Sequence, residues 1–95
     1  MGCLLRVHGD SVVAVCDADI VGRKFFEDDL VVDVDSDFFG GKHASVDEVL
    51  DAVRGASSVN AVGNDVVGLL IERGVVSLAG VRVVDGVKIA HVYRV

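Results

Sequence analysis

Proline and tryptophan are both missing from the 95 residues, and cysteine occurs only twice. With no proline and no low-complexity tract there is no linker, so the length fits one small domain. Two cysteines are too few for a disulfide framework, and no set of short paired spacings gives a four-ligand zinc site. No apolar run approaches the ~20 residues that span a bilayer. The start, Met1-Gly2-Cys3-Leu4-Leu5-Arg6, carries neither a basic leader nor a cleavable signal pattern. Arg6 stands where a myristoylation signal needs Ser or Thr. A soluble, cytoplasmic protein with no membrane contact is expected. Basic residues are also scarce, nine against fifteen acids, and the net charge of −6 repels polyanions. Nonspecific DNA binding, which needs clustered Lys and Arg, is not expected.

Apolar residues make up 52% of the chain, with valine the commonest, so a core can form. The surplus of aspartate over lysine suits a salt-rich cytoplasm, where repulsion is screened. Cys3–His8 and residues 11–17 are β-prone runs around Gly9-Asp10, which reads as a two-residue hairpin turn. That register pairs Val7 with Val12, Leu5 with Ala14 and Cys3 with Cys16 on one apolar face, with Arg6, His8, Ser11 and Val13 on the other. Residues 19–26, with Gly22 and Phe25-Phe26, read as a turn leading into a short element, and residues 30–34 as a third strand. The loop 38–43 leads to a helix with Ser45 as N-cap and Glu48 three residues later, a capping box. Val46, Val49, Leu50 and Val53 form its apolar stripe. Residues 56–63 read as an irregular linker. Asn64 then caps a second helix over 65–73, with Gly74 at its C′ position. A hairpin, Val81–Val84 and 87–95 around Asp85-Gly86, ends the chain. Strands grouped apart from helices predict an α+β fold: a small, mainly antiparallel sheet of two hairpins plus a central strand, with two helices packed on it.

Four landmarks in order carry a family resemblance. They are the early strand with His8; Cys16-Asp17-Ala18-Asp19-Ile20-Val21-Gly22-Arg23; Phe38-Phe39-Gly40-Gly41; and Asn60-Ala61-Val62-Gly63 before a helix. With the closing apolar hairpin they resemble a small archaeal family catalogued as domain of unknown function 424, over nearly the whole chain. This sequence departs from the family pattern in the last strand, where Lys88-Ile89 and His91 replace a Pro-His pair after the turn glycine. The resemblance implies an archaeal, cytoplasmic, single-domain protein. It supplies no activity.

The acidic ladder Asp33, Asp35, Asp37 is not an EF-hand loop, since Phe38 and Ala44 occupy the positions that need Gly and Glu. A looser cation site and a plain solvated strand end are the two readings of it. His8, Asp17 and Asp19 are acid–base candidates, but the hairpin puts His8 and Asp17 at opposite ends. The glycines of Gly40-Gly41 and Gly63 either offer amides to an anion or supply backbone geometry, and Asp65 in the helix's first turn disfavours the anion. The pairs Phe25-Phe26 and Phe38-Phe39 place one ring of each in the core and leave the second for a partner.

These residues predict a non-catalytic macromolecular binding module, with no metal and no cofactor. Its contact surface is expected at Phe38, Phe39, Gly40 and Gly41, with Asp17, Asp19, Gly22, Asn60 and Gly63 as further binding residues. The partner is expected to be a protein or ribonucleoprotein. The alternatives are a small enzyme or ligand-binding protein using His8, Asp17, Asp19 and the Phe38–Gly41 loop, and a homodimer with a structural role.

Overall fold

A computed structural model describes residues 2–9 and 11–93 of the chain. Its main sheet has six strands: β1 (Cys3–His8), β2 (Val12–Asp17), β5 (Lys42–Ala44), β6 (Ser58–Val62), β7 (Val81–Val84) and β8 (Val87–Tyr93). They lie in the order β5-β1-β2-β6-β8-β7. The β2–β6 pair is parallel and the other neighbours are antiparallel. A separate two-stranded sheet joins β3 (Lys24–Glu27) to β4 (Leu30–Asp33). Three helices complete the fold: α1 (Ser36–Phe39), α2 (Val46–Gly55) and α3 (Asn64–Glu72). The class is α+β, with a mixed sheet at its centre. Among the described residues no helix is long and apolar enough to cross a membrane.

The main sheet is covered on both faces. On the first, Cys3, Val13, Val15, Val59, Ala61 and Ala90 pack under α2 and α3 through Val49, Leu50, Val53, Val66, Val67 and Leu70. On the second, Leu4, Ala14, Cys16 and Val62 pack under Phe25, Val34 and Phe39. From Val13 onward β2 therefore has no solvent face, which explains its unbroken apolar run.

The helix signals hold. Ser45 and Glu48 form the capping box, with Glu48 N–H donating to Ser45 Oγ at 3.1 Å and Ser45 N–H to Glu48 Oε1 at 3.0 Å. At the end of α3, Gly74 N–H donates to the Ile71 carbonyl and Val75 N–H to that of Leu70, the paired bonds of a Schellman motif. Asp85 and Gly86 take positive φ between the paired residues Val84 and Val87, as the turn requires.

Four expectations are corrected. First, β1 and β2 pair with Leu4 opposite Cys16 and Cys3 opposite Asp17, one residue away from the expected register. The Ser11 carbonyl accepts the N–H groups of Ser57 and Ser58, so Ser11 belongs to the bend at the start of β6 and the ladder begins only at Val12. Cys3 and Cys16 consequently face opposite cores. Asp10 of the expected turn lies outside the described residues, as do residues 94–95 of the expected last strand. Second, the 56–63 segment is no linker: Ser58–Val62 is the central strand, hydrogen-bonded to β2 and β8. Its small and polar residues hid it, because packing from both sides rather than β-propensity fixes it. Third, Leu30–Asp33 is no central strand: it leaves the main sheet to pair with the short element after the turn, Lys24–Glu27. Fourth, the 38–43 loop divides into α1 and the edge strand β5. Gly41 lies so close to β1 that a Cβ there would collide with the Leu5 carbonyl.

Leu50 and Leu70 are buried in the helix-side core. Truncating either to Ala is expected to cost about 2–5 kcal/mol in urea unfolding, whereas Asp47→Ala on the exposed side of α2 costs about 0.5 kcal/mol or less.

Candidate binding surface

The N-terminus of α3 carries no cap from its own segment. Asp17, at the end of β2, supplies it across the fold. Its Oδ2 accepts the Asp65 N–H at 3.1 Å and its Oδ1 accepts the Val66 N–H at 2.9 Å. The carboxylate thus meets two of the helix's free donors and the positive end of its dipole. Gly63 makes the approach possible: its φ is 128°, and a Cβ there would collide with the carboxylate. Asn64, expected to cap the helix, instead clamps the last hairpin. Its Nδ2 donates to the Gly86 carbonyl at 3.0 Å and its Oδ1 accepts the Lys88 N–H at 2.9 Å.

Asp17, Asp19, Ile20, Gly63, Asn64, Asp65 and Val87 line a cleft of about 240 Å³ at this end of the sheet. Asp17 is buried and spends both oxygens on the helix, and Asp19 and Asp65 at the rim make the cleft acidic. An anion has no place there. Burial holds the Asp17 carboxyl above its ordinary value; the two N–H bonds pull it down and the Asp65 and Asp19 charges push it up. The neighbouring Cys16 thiol is pushed up to about 11, first by burial and then by Asp17. It is an inert core thiol.

The other end of the sheet is different. The register lines up two rows on the second face: His8, Val12, Ser58 and Tyr93, then Arg6, Ala14, Asn60 and His91. None of these eight residues is a carboxylate, in a chain with fifteen. The next row, Leu4, Cys16, Val62 and Ile89, lies under the β3–β4 hairpin and Phe39. This row, with Ala14 beside it, is covered by apolar packing, while Arg6, His91 and Tyr93 stand exposed. At one side of the open half the His8 ring stacks on Phe38, centroids 4.5 Å apart and planes within 10°. His8 Nε2 also bonds the Phe38 carbonyl at 2.8 Å, and Arg6 donates to the carbonyls of Asp37 and Gly40 at 3.2 and 2.8 Å. Two β1 side chains thereby satisfy the carbonyl end of α1. At the other side His91 and Tyr93 pair at 4.4 Å, and Tyr93 is 74% exposed. Between the two ring pairs run β2 and β6, a span of about 14 Å, floored by small side chains.

The expected site residues therefore divide. Phe39 is core and Phe38 is half-buried against His8. Gly40 and Gly41 follow α1, and Asn60 lies on the open floor. Asp17, Asp19 and Gly63 form the acidic cleft at the far end, and Gly22 turns the chain into β3, its N–H bonded to the Val34 carbonyl. His8 and Asp17 close opposite ends of the β1–β2 ladder, about 16 Å apart, too far to share a proton. The Asp33, Asp35, Asp37 ladder is broken up, because Asp35 Oδ1 accepts the Asp37 N–H and caps α1. Among the described residues no three His, Cys, Asp or Glu side chains gather as a metal-holding group.

The family model described as a protein of unknown function, DUF424, matches residues 5–95. The chain belongs to the DUF424 family. A solved structure, described as the crystal structure of an uncharacterized conserved protein from Methanopyrus kandleri, is similar in fold to this DUF424 chain. The TM-score is 0.79 at 22% identity, covering 98% of this chain and 91% of that one. No curated protein matches.

Sequence reasoning missed Arg6, His91 and Tyr93 as members of this DUF424 chain's surface. The signal was there: Arg6 and His8, and His91 and Tyr93, stand two apart in strands and so share a face. Recognising that both pairs share the same face needed β6 between them.

Asp17→Ala leaves two helix donors unpaired and should cost about 1–3 kcal/mol. Gly63→Ala should cost at least as much, since it strains φ and displaces the carboxylate. The raised Asp17 value also sets a pH slope. The folded state binds this proton more tightly than the unfolded chain, so the contribution is full below the ordinary value of 3.8 and is lost as pH rises through the folded one. The stability of wild type relative to Asp17→Asn should fall over that interval and then level off, as read by urea unfolding at a series of pH values.

Proposed function

We propose that the protein is a non-catalytic binding module that engages a protein or ribonucleoprotein partner in the cytoplasm through the open half of its second sheet face. The observation that carries this reading is Tyr93, 74% exposed on a strand of the main sheet with His91 against its ring. Tyrosine in such a position supplies a large contact area at low entropic cost, and exposed rings mark contact surfaces. Phe38 and His8, already locked together, form the opposite wall. In this reading Phe38, held by Arg6 and His8 around the α1 carbonyls, contributes to the contact surface, while Phe39 of the same segment is core.

Tagged wild type and Tyr93→Ala, expressed in the native host at its own salt concentration, test this directly. Tyr93→Ala should weaken capture of the partner by about 1–3 kcal/mol with the melting temperature unchanged. Equal capture by the two proteins would contradict the reading. Phe39→Ala serves as the contrast, since loss of a core ring should lower stability by about 3–5 kcal/mol.

A second reading, a homodimer, draws on the β3–β4 hairpin. Phe26 and Val31 are paired across its outer face and are 60% and 58% exposed, with Lys24 and Asp33 paired on the same face. Sedimentation velocity of wild type and Phe26→Lys decides it: a concentration-dependent dimer that Phe26→Lys abolishes supports the homodimer, and a monomer in both excludes it.

A further inference from the structure

We infer that the part of the partner lying on the open half-face is a segment of single-stranded RNA. This rests on the binding-module reading and gives that surface a ligand class. Charge makes the first argument. The chain carries −6 overall, yet the two rows from His8 to Tyr93 and from Arg6 to His91 hold an arginine, two histidines and no carboxylate. The third histidine, His43, lies on the same face in the edge strand, opposite Leu4. An acidic molecule that keeps one sheet face free of acids presents it to an anion. Duplex DNA is a poor fit, because rigid phosphate ladders would meet the acidic remainder of the surface.

The rings make the second argument. Tyr93 and His91 stand exposed on β8, and Phe38 stacked on His8 forms a flat wall above β1. Bases of an unpaired strand stack on such platforms whatever their sequence. The floor between the walls is the half-buried Val12 and Asn60, with Ala14 and Ser58 buried beside them. The half-buried Asn60 amide lies beside the His91 position across β6–β8. A polar group there can answer a ribose 2′-hydroxyl, which is what separates RNA from DNA.

Fluorescence anisotropy with a labelled, unstructured RNA decamer tests the assignment on the full chain. Wild type should bind saturably, and Tyr93→Ala should weaken binding about tenfold, within the range for one stacked base. Tyr93→Phe keeps the ring and should retain binding, while Phe26→Ala on the hairpin should change nothing. The slope of log K against log salt should be shallow, about −1 to −2, because few phosphates are contacted. The DNA decamer of the same sequence should bind more weakly. Absence of saturable binding, equal binding by Tyr93→Ala, or equal affinity for DNA overturns the assignment. A host partner that survives nuclease treatment and still depends on Tyr93 overturns it too, while leaving the binding-module reading standing.

Discussion

One carboxylate ties the fold together. Asp17 ends β2, the strand at the centre of both cores, and its two oxygens hold the first free N–H groups of α3. The bond joins residues 48 and 49 positions apart and crosses from strand to helix, so it fixes where α3 starts over the sheet. The rest follows from that placement. With α3 set, Val66, Val67 and Leu70 reach the first-face core, and β8 is drawn alongside β6 by Asn64's two bonds to the last hairpin. Gly63 is the residue whose missing side chain permits all of this. Burial works against the charge while the helix amides favour it, so Asp17 is a structural group under opposing demands and not a spare acid.

The same arrangement determines which end of the sheet is occupied. At the end of the parallel pair, where helix N-termini often receive anions, the site is already filled by the protein's own carboxylate and rimmed by Asp19 and Asp65. At the opposite end the second face runs out of cover. The β3–β4 hairpin and Phe39 shield the row from Leu4 to Ile89, and the next two rows are left with histidine, arginine, asparagine and tyrosine. Chemistry and coverage change together at that boundary.

Much of the local structure was legible in the residues. The Ser45–Glu48 box, the Gly74 stop and the Asp85-Gly86 turn are short-range motifs, and each formed as the sequence implied. The division of the Phe25-Phe26 pair, one ring buried and one exposed, followed from strand alternation, whereas Phe38-Phe39 divides on the short helix α1. What was not legible came from long-range partners. Ser58–Val62 looks like a loop because Ser58, Asn60 and Ala61 have little intrinsic strand preference, and only β2 and β8 on either side make it a strand. The β1–β2 register depended on Ser11 being claimed by Ser57 and Ser58, nearly fifty residues away. Asp17 read as a candidate acid because its true partners, two backbone amides, have no side-chain signature. Phe38 stood out in the sequence as half of an aromatic pair, but the His91–Tyr93 pair across the sheet from it required the strand between them.

The central claim is that the open half of the second face is where this molecule is touched. An amide chemical-shift map of the ¹⁵N-labelled protein, titrated with an unstructured RNA decamer, tests it most directly. The account predicts shifts concentrated at His8, Asn60, His91 and Tyr93, with α2 and α3 silent. Shifts centred instead on the Asp17–Asp65 cleft or on the helix face would contradict it.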